Sequence, residues 1–155
     1  MKANFLQGFD DWLKGKTNED TFRISPVSRA LDGRKRVVII GGGFTGAFAA
    51  RDLDSHPGLH VTMIDTKSFM EYTASVLKVF CRPEYHEKIV VPHEAVVKRG
   101  SVIVGAVRAI RDREIVVNQE VIPFDFAIVS TGSHYPSSIK SVAISSKFRG
   151  KQVAQ

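Results

Sequence analysis

Three glycines spaced G-x-G-x-x-G, Gly41, Gly43 and Gly46, follow the apolar run Val37-Val38-Ile39-Ile40 and precede Ala47, Phe48, Ala49, Ala50 and Leu53. A short β-branched run reads as a strand buried on both faces of a parallel sheet, and the segment behind it as a helix. Glycines at such a strand-to-helix turn bring bare backbone N–H groups against an anionic ligand. In this spacing Gly41 permits the tight turn, Gly43 lets the backbone approach a pyrophosphate, and Gly46 lets the helix pack close to the strand. The helix N-terminus supplies further unpaired N–H donors.

Glycine-rich turns are common, so the reading depends on whether a full βαβ unit follows. Behind the predicted turn Ser55-His56-Pro57-Gly58, residues His60 to Ile64 form a second apolar strand that ends at Asp65. An acid about 20 residues beyond the glycines accepts hydrogen bonds from the ribose hydroxyls of an adenine dinucleotide. Its charge repels a 2′-phosphate, which disfavours NADP as the ligand of this first site.

Other chemistries fail on residue count or spacing. Cys81 is the single cysteine, so the chain has no dithiol pair, and between Phe80 and Arg82 it reads as a small packed hydrophobe. Tyr135 is followed at the Tyr-x-x-x-Lys distance by Ile139. The histidines His56, His60, His86, His93 and His134 show no metal-ligand spacing. Gly15-Lys16-Thr17 imitates the end of a phosphate-binding P-loop but lacks the upstream strand and glycine. No catalytic side chain and no metal ligand is assigned.

The elements that must position the glycines and Asp65 fit within 155 residues, of which 43% are hydrophobic and 25% charged, an ordinary balance for one globular domain. The net charge of +6 is scattered, and the one compact cluster, Arg34-Lys35-Arg36, leads into the first strand. It reads as a solvated strand entry and not as a nucleic-acid surface. No apolar stretch approaches the roughly 20 residues of a membrane span, and the N-terminus lacks the regions of a secretory signal. One cysteine fits a reducing, cytoplasmic setting.

Residues 1–14 form an amphipathic helix, with Phe5, Leu6, Phe9, Trp12 and Leu13 on one stripe. Its cover is either protein or the headgroup region of a membrane, which makes Phe5, Phe9 and Trp12 the expected contacts of a protein partner or a peripheral membrane association. Residues 15–34 read as a linker, 35–140 as the nucleotide-binding domain and 141–155 as a polar tail. Beyond Asp65 short helices are expected near Thr73–Phe80 and His93–Val97. Then Ser101–Ile110, Glu114–Asn118 and Val121–Phe124 alternate with Asp112-Arg113 and Gln119-Glu120 turns as an antiparallel β-meander, and Asp125–Ser130 forms a final buried strand. The fold class is therefore α/β, a Rossmann-like FAD/NAD(P)-binding domain with a parallel sheet and a meander, incomplete at its C-terminus. A plain NAD-binding domain would continue with βα units where the meander stands, so the meander points to FAD.

The segments Gly-Gly-Gly-Phe-Thr-Gly at 41–46, Asp65, Phe69 to Pro83, residues 102–110, and residues 123–136 resemble the FAD-binding portion of the two-dinucleotide-domain flavoprotein oxidoreductases. The likeness is greatest to apoptosis-inducing-factor-like proteins of the ferroptosis-suppressor type and to type II NADH dehydrogenases. Their second fingerprint, an apolar strand closing in Ala-Thr-Gly, stands here as Val129-Ser130-Thr131-Gly132. The resemblance implies that Gly41, Gly42, Gly43, Phe44 and Thr45 surround the FAD pyrophosphate. It implies that Asp65 meets the adenosine ribose with Lys67 beside it, that the backbone of Ile103 lies near the adenine, and that Gly132 lies on the flavin side. Where relatives carry an Arg after the second strand, this sequence offers Lys78.

The resemblance also implies a reaction in which NAD(P)H reduces FAD and electrons pass to a quinone-like acceptor. The family pattern continues into a second GxGxxG domain for NAD(P)H and a C-terminal return segment, neither of which is present before Gln155. The expected function is thus the FAD-binding portion of an NAD(P)H-dependent oxidoreductase, with NAD(P)H a co-substrate only of a complete protein. The alternative is a truncated, non-catalytic dinucleotide-binding or interaction module.

Overall fold

A computed structural model describes residues 33–133. The expected N-terminal helix, most of the expected linker and the polar tail lie outside the described residues, as do Tyr135 and the stripe of Phe5, Phe9 and Trp12.

Strand β1 (Lys35–Ile40) runs into helix α1 (Phe44–Asp54), and β2 (Leu59–Asp65) returns parallel to β1. The pairing aligns Val37 with Val61 and Ile40 with Ile64, so both strands end at the same edge of the sheet. β3 (Phe69–Glu71) pairs antiparallel with β4 (Val90–Pro92), and between them lie α2 (Val76–Cys81) and α3 (His86–Ile89). The one-turn helix α4 (His93–Val96) leads towards β5 (Ser101–Val104), which joins the parallel sheet beside β2. β6 (Val107–Arg111), β7 (Glu114–Val117) and β8 (Glu120–Pro123) form the antiparallel meander, and β9 (Phe126–Val129) pairs parallel with β1.

The parallel sheet has the order β5-β2-β1-β9. After β1 the chain moves to one side through β2 and β5, then crosses to the other side of β1 for β9. Strand order therefore reverses at β1, and the carboxyl ends of β1 and β9 flank the crevice where doubly wound sheets bind ligands.

Alternation along β1 explains the two-sided core. Val37 and Ile39 pack with Ala47, Ala50, Val61 and Met63 beneath α1, whereas Val38 and Ile40 pack with Ile64, Ile103, Ile115 and Ile122 beneath the meander. A strand buried on both faces needs apolar residues at every position, which is why the run is unbroken. The buried Asp54 carboxylate at the end of α1 accepts the N–H groups of Lys98 (2.8 Å) and Arg99 (2.9 Å), fixing the entry to β5.

Three expectations need correction. The stretch Ser101–Ile110 is two strands: β5 extends the parallel sheet and β6 starts the meander, with the break at Gly105-Ala106. A Cβ at Gly105 would crowd Asn118 Nδ2 and Val117 Cγ1, at 2.7 and 2.8 Å, so the chain can change sheets there only without a side chain. The final strand, expected to be buried, is instead the sheet edge. Among the described residues β9 has one paired neighbour, β1, and Phe126 and Val129 remain 58% and 62% exposed. Cys81, expected to pack, is exposed at the end of α2, because the buried face of that short helix carries Val76 and Val79 and a residue two positions on points elsewhere.

Candidate dinucleotide-binding site

Gly41 leaves β1 with φ +98, in the left-handed region that favours glycine. A side chain there would also strike the backbone of Ser130 and Thr131, so the loop after β1 and the loop after β9 are in backbone contact. The Ser130 hydroxyl lies 2.9 Å from the Gly41 carbonyl and 3.1 Å from that of Ile40, and the Ser130 N–H donates to Ile40 at 2.8 Å. Gly46, one turn into α1, faces the same place: a Cβ would fall on the Gly41 carbonyl oxygen. Gly41 and Gly46 thus serve the close packing of turn, helix and strand.

Gly43 differs. It is the N-cap of α1, its backbone is extended, and a Cβ would meet nothing within 4 Å. No side chain caps this helix, so its first N–H groups are left to a ligand or water. They open onto a cavity of about 470 Å3 lined by Gly41, Gly42, Gly43, Phe44 and Thr45 on one side. Asp65, Lys67 and Glu71 form its other side, and Ser130 to Ser133 close the end. That volume lies within the roughly 300–1,000 Å3 of small-molecule sites.

Asp65 ends β2 beside this loop. One carboxylate oxygen accepts the Gly42 N–H, and the other accepts the Lys67 N–H at 2.9 Å. The carboxylate is fixed in place and keeps lone pairs for additional donors such as hydroxyls. Phe44 is held edge-on against Tyr72, with ring centroids 5.2 Å apart.

Of the sequence-derived site residues, Gly41, Gly42, Gly43, Phe44, Thr45, Asp65, Lys67 and Gly132 line this cavity, and Gly46 lies directly behind it. Ile103 is buried in the core beneath the meander. Lys78 lies on α2 with its ammonium 4.0 Å from the centroid of the Tyr85 ring, and does not line the cavity. His93 stands out in the sequence only as a helix start without ligand spacing, yet it is fully buried and its Nε2 lies 2.9 Å from the Gly42 carbonyl oxygen. Periodicity carries no signal for such a role, because the contact spans two distant segments. Among the described residues no cluster of His, Cys, Asp and Glu could hold a metal, and no helix is long and apolar enough to cross a membrane.

Residues 35–152 match the family described as pyridine nucleotide-disulphide oxidoreductase. The chain is 32% identical over 110 residues to apoptosis-inducing factor homolog B of Dictyostelium discoideum, covering 70% of this chain and 28% of that protein. It is 29% identical over 139 residues to homolog A of the same organism, and 30% identical over 121 residues to ferroptosis suppressor protein 1 of Xenopus tropicalis. These alignments cover 89% and 76% of this chain and 32% of each relative, so the chain spans under a third of the length of these three proteins. Among solved structures, the fold is shared with the sulfide:quinone oxidoreductase of Aquifex aeolicus at TM-score 0.54 and 22% identity, covering 67% of this chain and 26% of that one. It is also shared with NDH2 of Plasmodium falciparum in complex with NADH, at TM-score 0.55 and 15% identity, covering 67% and 23%.

Proposed function

Because the chain belongs to the pyridine nucleotide-disulphide oxidoreductase family, we propose that it is the FAD-binding portion of an NAD(P)H-dependent flavoprotein oxidoreductase whose electrons pass to a quinone-like acceptor. The observation that carries this reading is the open backbone cradle at Gly43, set at the switch point of the sheet and faced by a fixed carboxylate, Asp65.

The residues present fit the dinucleotide. The N–H groups of Gly43, Phe44 and Thr45 would take the pyrophosphate, since a helix N-terminus without a side-chain cap favours anions. Asp65 would hold the adenosine ribose hydroxyls, and Lys67 adds positive charge on the same side of the cavity. The backbone of Ile103 on β5 would lie by the adenine, and Gly132, with φ +69, by the flavin end. FAD supplies hydride acceptance from NAD(P)H and electron delivery to the acceptor, while the protein binds and orients it. The chain's own contribution is therefore positional: bare N–H donors, a fixed carboxylate and no catalytic side chain. Lys78, the remaining candidate for the cofactor, is held on the Tyr85 ring and would have to leave it to reach the ligand. The quinone oxidoreductase among the proteins of this fold supports the quinone-like acceptor. A cytoplasmic setting, with Phe5, Phe9 and Trp12 as the contacts of a protein partner or of a membrane surface, belongs to the same reading.

The test is the visible absorption spectrum of the purified 155-residue chain, followed by titration with FAD and with NAD. Flavin bands, or saturable FAD binding that Gly43→Val abolishes, are the expected result. A colourless chain without affinity for either nucleotide overturns the reading.

A further inference from the structure

The pyrophosphate reading gives Gly41, Gly43 and Gly46 each a reason to be glycine, whereas Gly42 only lines the cavity. His93 supplies its reason. Its fully buried ring lies directly under the loop: Nε2 is 2.9 Å from the Gly42 carbonyl, and a Cβ on Gly42 would run into Cε1 and Nε2. The residue is itself anchored, because the His93 backbone N–H donates to the Ser68 carbonyl at 3.0 Å. A carbonyl oxygen accepts only from a protonated nitrogen, so the contact selects the Nε2–H form of the imidazole. In that form Nδ1 carries a lone pair and not an N–H.

The consequence follows from peptide geometry. In a planar trans peptide the C=O and N–H point in opposite directions. With the Gly42 carbonyl held inward against His93, the N–H of Gly43 on the same peptide is turned outward, towards the cavity. The other side of Gly42 is held as well, because its own N–H donates to the Asp65 carboxylate. Both peptides of Gly42 are therefore fixed by buried or half-buried side chains from two other segments.

We propose that His93 is a positioning residue of the dinucleotide site: by holding the Gly42 carbonyl it fixes the Gly43 N–H in the orientation that meets a diphosphate. The proposal rests on the dinucleotide reading above. It assigns His93 no contact with the ligand, and its effect is to orient the donor before the ligand arrives, which lowers the ordering cost of binding.

The experiment measures binding of FAD and ADP to the full 155-residue chain carrying His93, His93→Met or His93→Gln, with circular dichroism to confirm folding. Methionine keeps the volume and loses the donor, whereas glutamine carries a donor amide. Roughly tenfold weaker ADP binding in His93→Met, with recovery in His93→Gln, is the expected result, the size of one well-placed hydrogen bond. Unchanged ADP binding in a folded His93→Met variant overturns the role of His93 and leaves the dinucleotide reading standing. A wild-type chain that binds neither FAD nor ADP overturns both. Should His93→Met not fold, the imidazole 15N resonances of the wild-type chain decide: an Nε2–H tautomer coupled to the Gly42 carbonyl supports the proposal, and an Nδ1–H tautomer overturns it.

Discussion

The imidazole of His93 fills the space that a side chain on Gly42 would need, and Met63 Sδ closes the same space, 3.0 Å from where that Cβ would stand. Gly42→Ala therefore forces either the loop or the ring to move. Overpacking of this kind costs about 1–3 kcal/mol, and the displaced loop should also lose affinity for FAD. The two residues are in contact, so their effects should not add. Combined with His93→Ala, which vacates the space, Gly42→Ala should cost less than alone, with a coupling of about 0.5–3 kcal/mol. Urea denaturation of the two single variants and the double variant measures this; additive costs would show that the ring does not limit Gly42.

Gly43 and Gly46 should separate binding from stability. A Cβ at Gly43 meets nothing within 4 Å and its backbone is extended, so Gly43→Ala should leave stability within about 0.5 kcal/mol of wild type. On the dinucleotide reading the same methyl group would stand in the path of the pyrophosphate, and FAD affinity should fall. At Gly46 the added carbon lands on the Gly41 carbonyl and lies 2.8 Å from Ser130 Oγ, so Gly46→Ala should destabilise the fold by about 1–3 kcal/mol or more. Thermal melts paired with FAD titration distinguish the two; equal loss of stability in both variants would show that Gly43 also serves packing.

Much of this arrangement is legible in the sequence because it is local. The unbroken run of β1, the three glycines, the helix behind them and Asp65 at the end of β2 each follow from patterns within about 30 residues. The family resemblance likewise agrees with the match over residues 35–152. Contacts between distant segments are not legible. His93 beneath Gly42 joins positions 51 apart, and Arg36 with Asp125 joins positions 89 apart. The break at Gly105 is hidden for a related reason: apolar residues continue on both sides of it while the chain changes its hydrogen-bonding partner from β2 to β7. The edge position of β9 is hidden because an apolar run reports what a strand can bury and not what lies beside it.

Arg36 and Asp125 tie the start of β9 to the start of β1. The Arg36 backbone N–H donates to Asp125 at 2.8 Å, its guanidinium reaches both carboxylate oxygens at 3.2 Å, and the Asp125 N–H returns a bond to the Arg36 carbonyl at 2.9 Å. The Arg36 side chain and backbone hold the Asp125 carboxyl below its ordinary 3.8, at about 2. A depressed carboxyl pKa contributes stability that is present above the unfolded value and is lost as pH falls through the folded one. Wild type should therefore exceed Asp125→Asn in urea midpoint above pH 3.8, and the difference should disappear towards about pH 2. A pH-independent difference would assign the effect to geometry and not to charge. The pair is half-buried, so added salt should reduce the difference only in part.

The buried imidazole of His93 gives a second dependence in a separate pH window. Burial lowers its pKa from the ordinary 6.5, and the Asp65 carboxylate and the backbone of Gly42 and Lys67 only partly oppose that shift. The charge of Lys67 works in the same direction as burial. The folded state thus binds fewer protons at His93 than the unfolded chain does just below pH 6.5, and stability falls as pH falls through that range. Protonation would place a cation in the core beneath the glycine loop without breaking the Nε2–H bond to Gly42, so the cost is burial of charge and not loss of the contact. In His93→Gln this component is absent. The difference in melting temperature between wild type and His93→Gln should shift against wild type as pH drops below about 6.5. The comparison cancels the contribution of His60 and His86, which are buried elsewhere and unchanged in the variant. A difference that stays constant with pH would show that His93 titrates alike in the folded and unfolded chains, contrary to its complete burial.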